Sequence, residues 1–398
     1  MTTYDATKMT PALLSLPSKL PNVGTTIFTV MSRLAAETGA INLSQGFPGF
    51  DTDPALLDLV TKAMRAGHNQ YAPMAGVPAL REAIAQKTLD YYGVQLDSET
   101  EITVTPGATQ ALFDAITTVV EPGRSAGPDE VIVFEPAFDS YVPAIELNGG
   151  RPVFVTLTPP DYAVDWNVVA GKITDRTRLI IVNTPHNPTG RVWTRNDLDA
   201  LARLVRDRDI WIISDEVYEH ILFDGRTHHS LLTHPDLRER TFVINSFGKT
   251  FHVTGWKIGY CLAPTELTAA FRKVHQYVSF STSTPMQYAI AEYLEQPERY
   301  RQLPGFYQRK RDLFLSGLRN TRFQFEPSEG SFFQNVSYAA ITDEPDYDLA
   351  VRLTRELGVA AIPVSVFYHE RNDYKILRFC FAKDDAVLRE ATARLSWL

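Results

Sequence analysis

Ser246-Phe247-Gly248-Lys249-Thr250 sets a lysine among small and hydroxylated residues, directly after the apolar run 242–245. A lysine amine is nucleophilic only when deprotonated, and desolvation or a neighbouring cation lowers its pKa toward that state. Lys257, in Thr254-Gly255-Trp256-Lys257-Ile258-Gly259, could supply such a field. Taken alone, the segment also fits a surface lysine in a loop. A second segment, Ser214-Asp215-Glu216-Val217-Tyr218, follows the apolar run 210–213. An aspartate there can bond a pyridine nitrogen and keep it protonated, although Asp-Glu after a strand also serves as a helix cap or a solvated turn. The third is Asn183-Thr184-Pro185-His186-Asn187-Pro188-Thr189-Gly190, where Asn187 offers an amide to a phenolate oxygen or a carboxylate. Each segment could be a turn. All three in this order, each at the end of an apolar run, are hard to explain as turns, because ligand-binding residues collect at the carboxyl ends of strands in α/β sheets.

The elements that must hold these segments are legible in the apolar pattern. Short continuous runs at 102–105, 131–134, 153–157, 179–182, 210–214, 242–245 and 258–262 suit strands buried on both faces. Amphipathic stretches separate them, which implies an α/β fold with a mainly parallel seven-stranded sheet wrapped by helices. Beyond about residue 288 the pattern changes to charged helices at 307–319 and 348–356, with strands near 331–336 and 377–381. That reads as a smaller α+β domain. Pro11, Pro17 and Pro21 mark an extended arm leading into a helix at 26–38. The expected division is residues 1–50 as the arm and part of the small domain, 51–290 as the large domain and 291–398 as the small C-terminal domain.

With 398 residues the chain is long enough for two or three cores. A net charge of −8 argues against non-specific nucleic-acid binding. The N-terminal Met-Thr-Thr-Tyr-Asp lacks the basic-then-apolar pattern of a secretory signal. No apolar segment approaches the roughly 20 residues that span a bilayer. Cys261 and Cys380 sit in apolar runs and read as buried thiols, so the cytoplasm is the expected location. His186, His252 and His275 show no metal-ligand spacing and read as structural, with no metal site expected.

With these segments in place, the sequence resembles the fold-type I pyridoxal-5′-phosphate (PLP) enzymes, specifically the class I/II aminotransferases. The resemblance runs from about Ser18 to the C-terminus. Within the group the chain looks most like the kynurenine aminotransferase branch and its bacterial methionine aminotransferases. Asn42-Leu43-Ser44-Gln45-Gly46-Phe47-Pro48, Asn69-Gln70-Tyr71-Ala72-Pro73, Ala361-Ile362-Pro363-Val364-Ser365-Val366-Phe367 and Leu377-Arg378-Phe379-Cys380-Phe381 carry it beside the Lys249 segment. The resemblance implies that Lys249 holds the cofactor as a Schiff base and then moves the substrate α-proton. It implies that Asp215 holds the ring nitrogen, that Asn187 and Tyr218 donate to the 3′-oxygen, and that Phe138 stacks on the ring face. Gly107-Ala108-Thr109-Gln110 opens a helix, so the backbone N–H groups at Ala108 and Thr109 and the helix dipole converge where a phosphate would sit. Ser246 and Lys257 would complete that cup. Many relatives carry arginine at the position of Lys257, and lysine supplies charge without the bidentate fork. Tyr71 would reach the phosphate of a neighbouring subunit, making a homodimer with shared active sites.

On the substrate side, Arg378 stands in an otherwise apolar run, where it fits either a structural ion pair or a fork for an α-carboxylate. The resemblance implies the fork, assisted by Asn187 and Gly46. Phe28, Phe47 and Tyr71 match side-chain pocket positions, with Phe28 where animal kynurenine enzymes have tryptophan. No second substrate-facing arginine stands at the matched positions. The expected activity is transfer of the amino group of methionine, and of aromatic amino acids, to a 2-oxo acid by a ping-pong mechanism. Kynurenine transamination or β-elimination from cysteine S-conjugates is the alternative.

Overall fold

The computed structural model describes residues 18–123 and 127–398. Pro11 and Pro17 of the expected arm lie outside the described residues. Each of the seven apolar runs forms a strand: β1 Ile102–Thr105, β2 Glu130–Glu135, β3 Arg151–Thr156, β4 Thr177–Asn183, β5 Trp211–Asp215, β6 Thr241–Ser246 and β7 Gly259–Leu262. They form one sheet in the order β1-β7-β6-β5-β4-β2-β3. Alternation along the strands explains why the runs are continuously apolar. Ile132, Ile180, Ile212 and Val243 face one core, while Val133, Ile181, Ile213 and Ile244 face another on the opposite side.

The pairings β6–β5, β5–β4, β4–β2 and β2–β3 are parallel. Strand β7 runs antiparallel to both of its neighbours, β1 and β6. The carboxyl ends of the other six strands therefore share one edge of the sheet, and the entry to β7, preceded by Lys257, lies at that same edge.

Helix α1 (Ile27–Thr38) is capped by the Thr26 side chain and stopped by Gly39 in the left-handed conformation. Helix α2 (Ala108–Val119) follows β1, α3 (Tyr141–Leu147) follows β2, and the short α4 (Phe247–Thr250) follows β6. In the C-terminal part, α5 (Leu303–Leu318) starts before the expected 307–319, because Pro304 is tolerated in a first helical turn. Helix α6 (Asp346–Arg352) passes into a π-helical turn, Leu353–Leu357, that closes on Gly358. Strands β8 (Phe333–Ser337), β9 (Ile362–Pro363) and β10 (Ile376–Cys380) form an antiparallel sheet with β10 in the centre. Ile41–Asn42 pairs with Val359–Ala360, and the Cys380 amide donates to the Leu43 carbonyl at 2.8 Å. The segment after residue 41 is thereby drawn across the edge of this second sheet toward the large one.

Candidate active site

The ends of two adjacent strands, β4 and β5, are sewn together by their own polar groups. Asn183, the last residue of β4, donates from Nδ2 to the Asp215 carbonyl at the end of β5 at 2.8 Å. The Asn187 amide donates to Asn183 Oδ1 at 2.8 Å, which fixes the loop that carries Asn187. Beyond β6, Ser246 caps α4 by accepting from the Gly248 amide, and this short turn presents Lys249. One pocket is lined by Ala108, Thr109, Phe138, Asn187, Asp215, Tyr218, Ser246, Lys249 and Lys257, with Asn183 among them. Nine residues singled out in the sequence thus meet in one cavity.

The electrostatics of this cavity follow from burial. Asp215 is 4% exposed, and burial pushes its carboxyl up to about 6. The Tyr141 hydroxyl, which donates to Asp215 Oδ2 at 2.7 Å, and the nearby Lys249 charge oppose that rise. Burial also brings the Lys249 amine down to about 8, with the cations of Lys257 and Arg378 adding to the effect and Asp215 opposing it. Lys249 Nζ donates to the Gly46 carbonyl at 3.0 Å, which places Gly46 at the amine.

At the other end of the cavity, α2 begins after Gly107 with no side-chain cap, so its first N–H groups have no partner within the helix. Gly107 has φ +83°, and a Cβ there would lie 3.1 Å from Lys257 Nζ, so an ammonium sits over the bare turn. Uncapped amides, a cation and the Ser246 hydroxyl fit a phosphate. A buried carboxylate with one oxygen already occupied fits a ring nitrogen. The residues present therefore suit PLP at both ends.

Arg378 lies on the central strand β10 and is fully buried. Its Nη1 donates to Asn187 Oδ1 at 2.8 Å and its Nη2 to the Ser44 carbonyl at 3.0 Å. Its Nε has no partner, and among the described residues no carboxylate forms an ion pair with it. The structural ion pair that the sequence left open is therefore not seen among the described residues. The guanidinium stacks 4.0 Å from the Phe333 ring centroid, with Phe28 at 5.3 Å and Phe367 at 5.4 Å. Burial lowers even this cation to about 10. Such a site is completed by an anion. Because Asn187 gives its oxygen to Arg378, its Nδ2 is left to donate elsewhere.

Two expected residues stand apart from the cavity. Phe47 is 44% exposed, and its carbonyl and ring engage Lys383 instead. Tyr71 is 84% exposed, with its ring against Phe280. Sequence reasoning missed Asn183, although its place at a strand end was a usable signal. It also passed over Tyr141, which nothing but its nearness to Phe138 marked out.

Comparison with known proteins adds four findings. The family model for aminotransferase class I and II matches residues 38–395. The methionine aminotransferase of Escherichia coli (strain K12) is 51% identical over 382 residues, covering 96% of this chain and 98% of the relative. The kynurenine–oxoglutarate transaminase of Dictyostelium discoideum is 36% identical, with 94% of each chain covered. A crystal structure of an Escherichia coli protein described as having a methionine aminotransferase function superposes with a TM-score of 0.94 at 50% identity, covering 97% of this chain and all of that one.

Proposed function

Because the chain belongs to the class I and II aminotransferases, a PLP-dependent family of fold type I, we propose that it transfers the amino group of methionine, and of aromatic amino acids, to a 2-oxo acid. The observation that carries this reading is the buried Arg378 guanidinium, unpaired by any described carboxylate and walled by Phe28, Phe333 and Phe367. An α-carboxylate supplies the missing charge, and the aromatic wall favours an apolar side chain over a second carboxylate. The 51% identity to an enzyme named for methionine supports the choice of donor.

When bound, PLP supplies an aldehyde carbon that takes up amino groups and a ring that withdraws electrons from the substrate α-carbon. The protein does the rest. Ala108, Thr109, Ser246 and Lys257 hold the phosphate, and Tyr71 reaches the phosphate of a partner subunit in a homodimer. Phe138 covers the ring face, Asp215 keeps a proton on the ring nitrogen, and Asn187 and Tyr218 donate to the 3′-oxygen. Arg378 grips the carboxylate with Asn187 and Gly46, while Phe28, stacked by the guanidinium, shapes the side-chain pocket. Lys249 attaches the cofactor and, once displaced, moves the proton at the substrate α-carbon. Its lowered pKa of about 8 leaves part of the amine neutral in mildly alkaline solution. The enzyme acts in the cytoplasm, where its two cysteines stay reduced.

A donor screen on purified holoenzyme tests the proposal. Methionine and phenylalanine should convert the cofactor to its amine form, aspartate should do so poorly, and initial rates with a 2-oxo acid should show ping-pong kinetics. If no amino acid changes the cofactor spectrum, the transaminase reading is wrong. Kynurenine in the same screen, and pyruvate release from a cysteine S-conjugate, separate the alternative favoured by the 36% identical relative.

A further inference from the structure

The geometry points to Tyr141 as a positioning residue that holds the proton on the ring nitrogen of the cofactor by acting through Asp215. The inference rests on the PLP reading above and adds a residue to it. A carboxylate has two oxygens to distribute. Oδ2 of Asp215 is taken by the Tyr141 hydroxyl at 2.7 Å. Oδ1 receives only a long contact from the Val217 amide at 3.4 Å. Oδ1 is therefore the oxygen left for a ring N–H, and Tyr141 decides which oxygen that is. Tyr141 opens α3 and is 3% exposed, so its orientation is fixed by packing.

The electrostatic consequence has a definite sign. Donation to a carboxylate stabilises its charged form and makes it a weaker base. The groups facing Asp215 are Tyr141 from α3, Lys249 from α4, and its own neighbours Glu216 and Tyr218. Tyr141 is the one described side chain that hydrogen-bonds the carboxylate. Burial, Asp215, Tyr218 and Asp139 push the Tyr141 hydroxyl well above its ordinary pKa, so it donates throughout the working pH range. Without that donation Asp215 becomes more basic, and a proton shared with a ring nitrogen moves toward oxygen. The ring then loses the positive charge that makes it withdraw electrons. The same segment carries Phe138, whose ring meets that of Tyr141 at 5.7 Å. One short stretch thus sets both the ring face and the ring nitrogen.

Tyr141→Phe removes the hydroxyl and keeps the ring that fills the core, so folding is preserved. The measurement is cofactor affinity of the apoenzyme against pH, by fluorescence titration, for wild type, Y141F, D215N and the double variant. Wild type should bind the cofactor less tightly as the pH falls through about 6, where Asp215 takes up a proton. In Y141F that decline should begin at higher pH, so that affinity at pH 5 falls about ten- to a hundredfold below wild type, as for loss of a hydrogen bond to a charged group, and at pH 7.5 by about fivefold or less. Adding Y141F to D215N should change little, because the hydroxyl acts through the charge. Equal affinities and equal pH profiles for wild type and Y141F overturn the inference, as does a loss of the same size in the D215N background, which marks a packing role. A wild type that binds no cofactor at all overturns the PLP reading, and this inference with it.

Discussion

At the scale of single residues, the cavity holds charges that are costly until a ligand arrives. Asp215 is the clearest case. Its carboxyl is raised by burial from 3.8 to about 6, so its contribution to folding is fully present below the unfolded value and is lost as pH rises through the folded one. A displacement of that size corresponds to about 3 kcal/mol of destabilisation above pH 7 in the apoenzyme. Asp215→Asn should therefore raise the melting temperature of the apoenzyme at pH 8 and leave it unchanged at pH 3.5. The same substitution should weaken cofactor binding. Thermal scans of apoenzyme at the two pH values decide it, and a variant that is no more stable at pH 8 would contradict the account. Lys249 and Arg378 follow the same logic with opposite sign, each a buried cation whose pKa falls below its ordinary value.

At the scale of elements, the phosphate cup depends on how closely β7 approaches the turn before α2. A Cβ on Gly259, the first residue of β7, would stand 2.7 Å from the Ala108 nitrogen, 2.7 Å from the Gly107 carbonyl carbon and 2.8 Å from the Asn245 oxygen. All three are backbone atoms, so no side-chain rotation relieves the clash. Gly259→Ala should push the start of α2 away from β7, lower stability by about 1–3 kcal/mol and weaken cofactor binding. Gly255, nearby in sequence, has open space around it and provides the control. Equilibrium unfolding and cofactor titration of G259A and G255A check this. A folded G259A that binds cofactor like wild type would show that the approach is not what shapes the cup.

At the scale of the molecule, Tyr71 is held within its own chain by a ring contact with Phe280. It stands 84% exposed on a surface that includes Phe280 and, on the same helix–loop stretch, Tyr277 at 89%. Exposed aromatic side chains in such a group suit the proposed association surface. The proposed homodimer, in which Tyr71 serves the neighbouring site, predicts complementation. Tyr71→Ala and Lys249→Ala should each be strongly impaired as homodimers. Mixing and reassociation should restore activity, because one site of the mixed dimer then has both residues. Mixed dimers that form, as judged by differently tagged subunits, yet stay inactive would place Tyr71 outside the partner's site.

The sequence by itself determined the strands and the residues at their ends. Burial on both faces writes a continuous apolar run, and the polar residues that interrupt it, Asn183, Asp215 and Ser246, fall at the edge where ligands meet an α/β sheet. Lys249 and Asn187 were legible because each stands in a local motif just past such an end. What tertiary structure alone decided is who meets whom. Tyr141 and Asp215 are 74 residues apart, Asn187 and Arg378 are 191 apart, and Gly46 and Lys249 are 203 apart. Periodicity reports burial along one element, whereas these contacts follow from strand order, from the reversed direction of β7 and from the second sheet that carries Arg378. The buried guanidinium makes the same point: its residue type was visible in the sequence, but the lack of any ion pair to it among the described residues emerged only once the chain had closed around it.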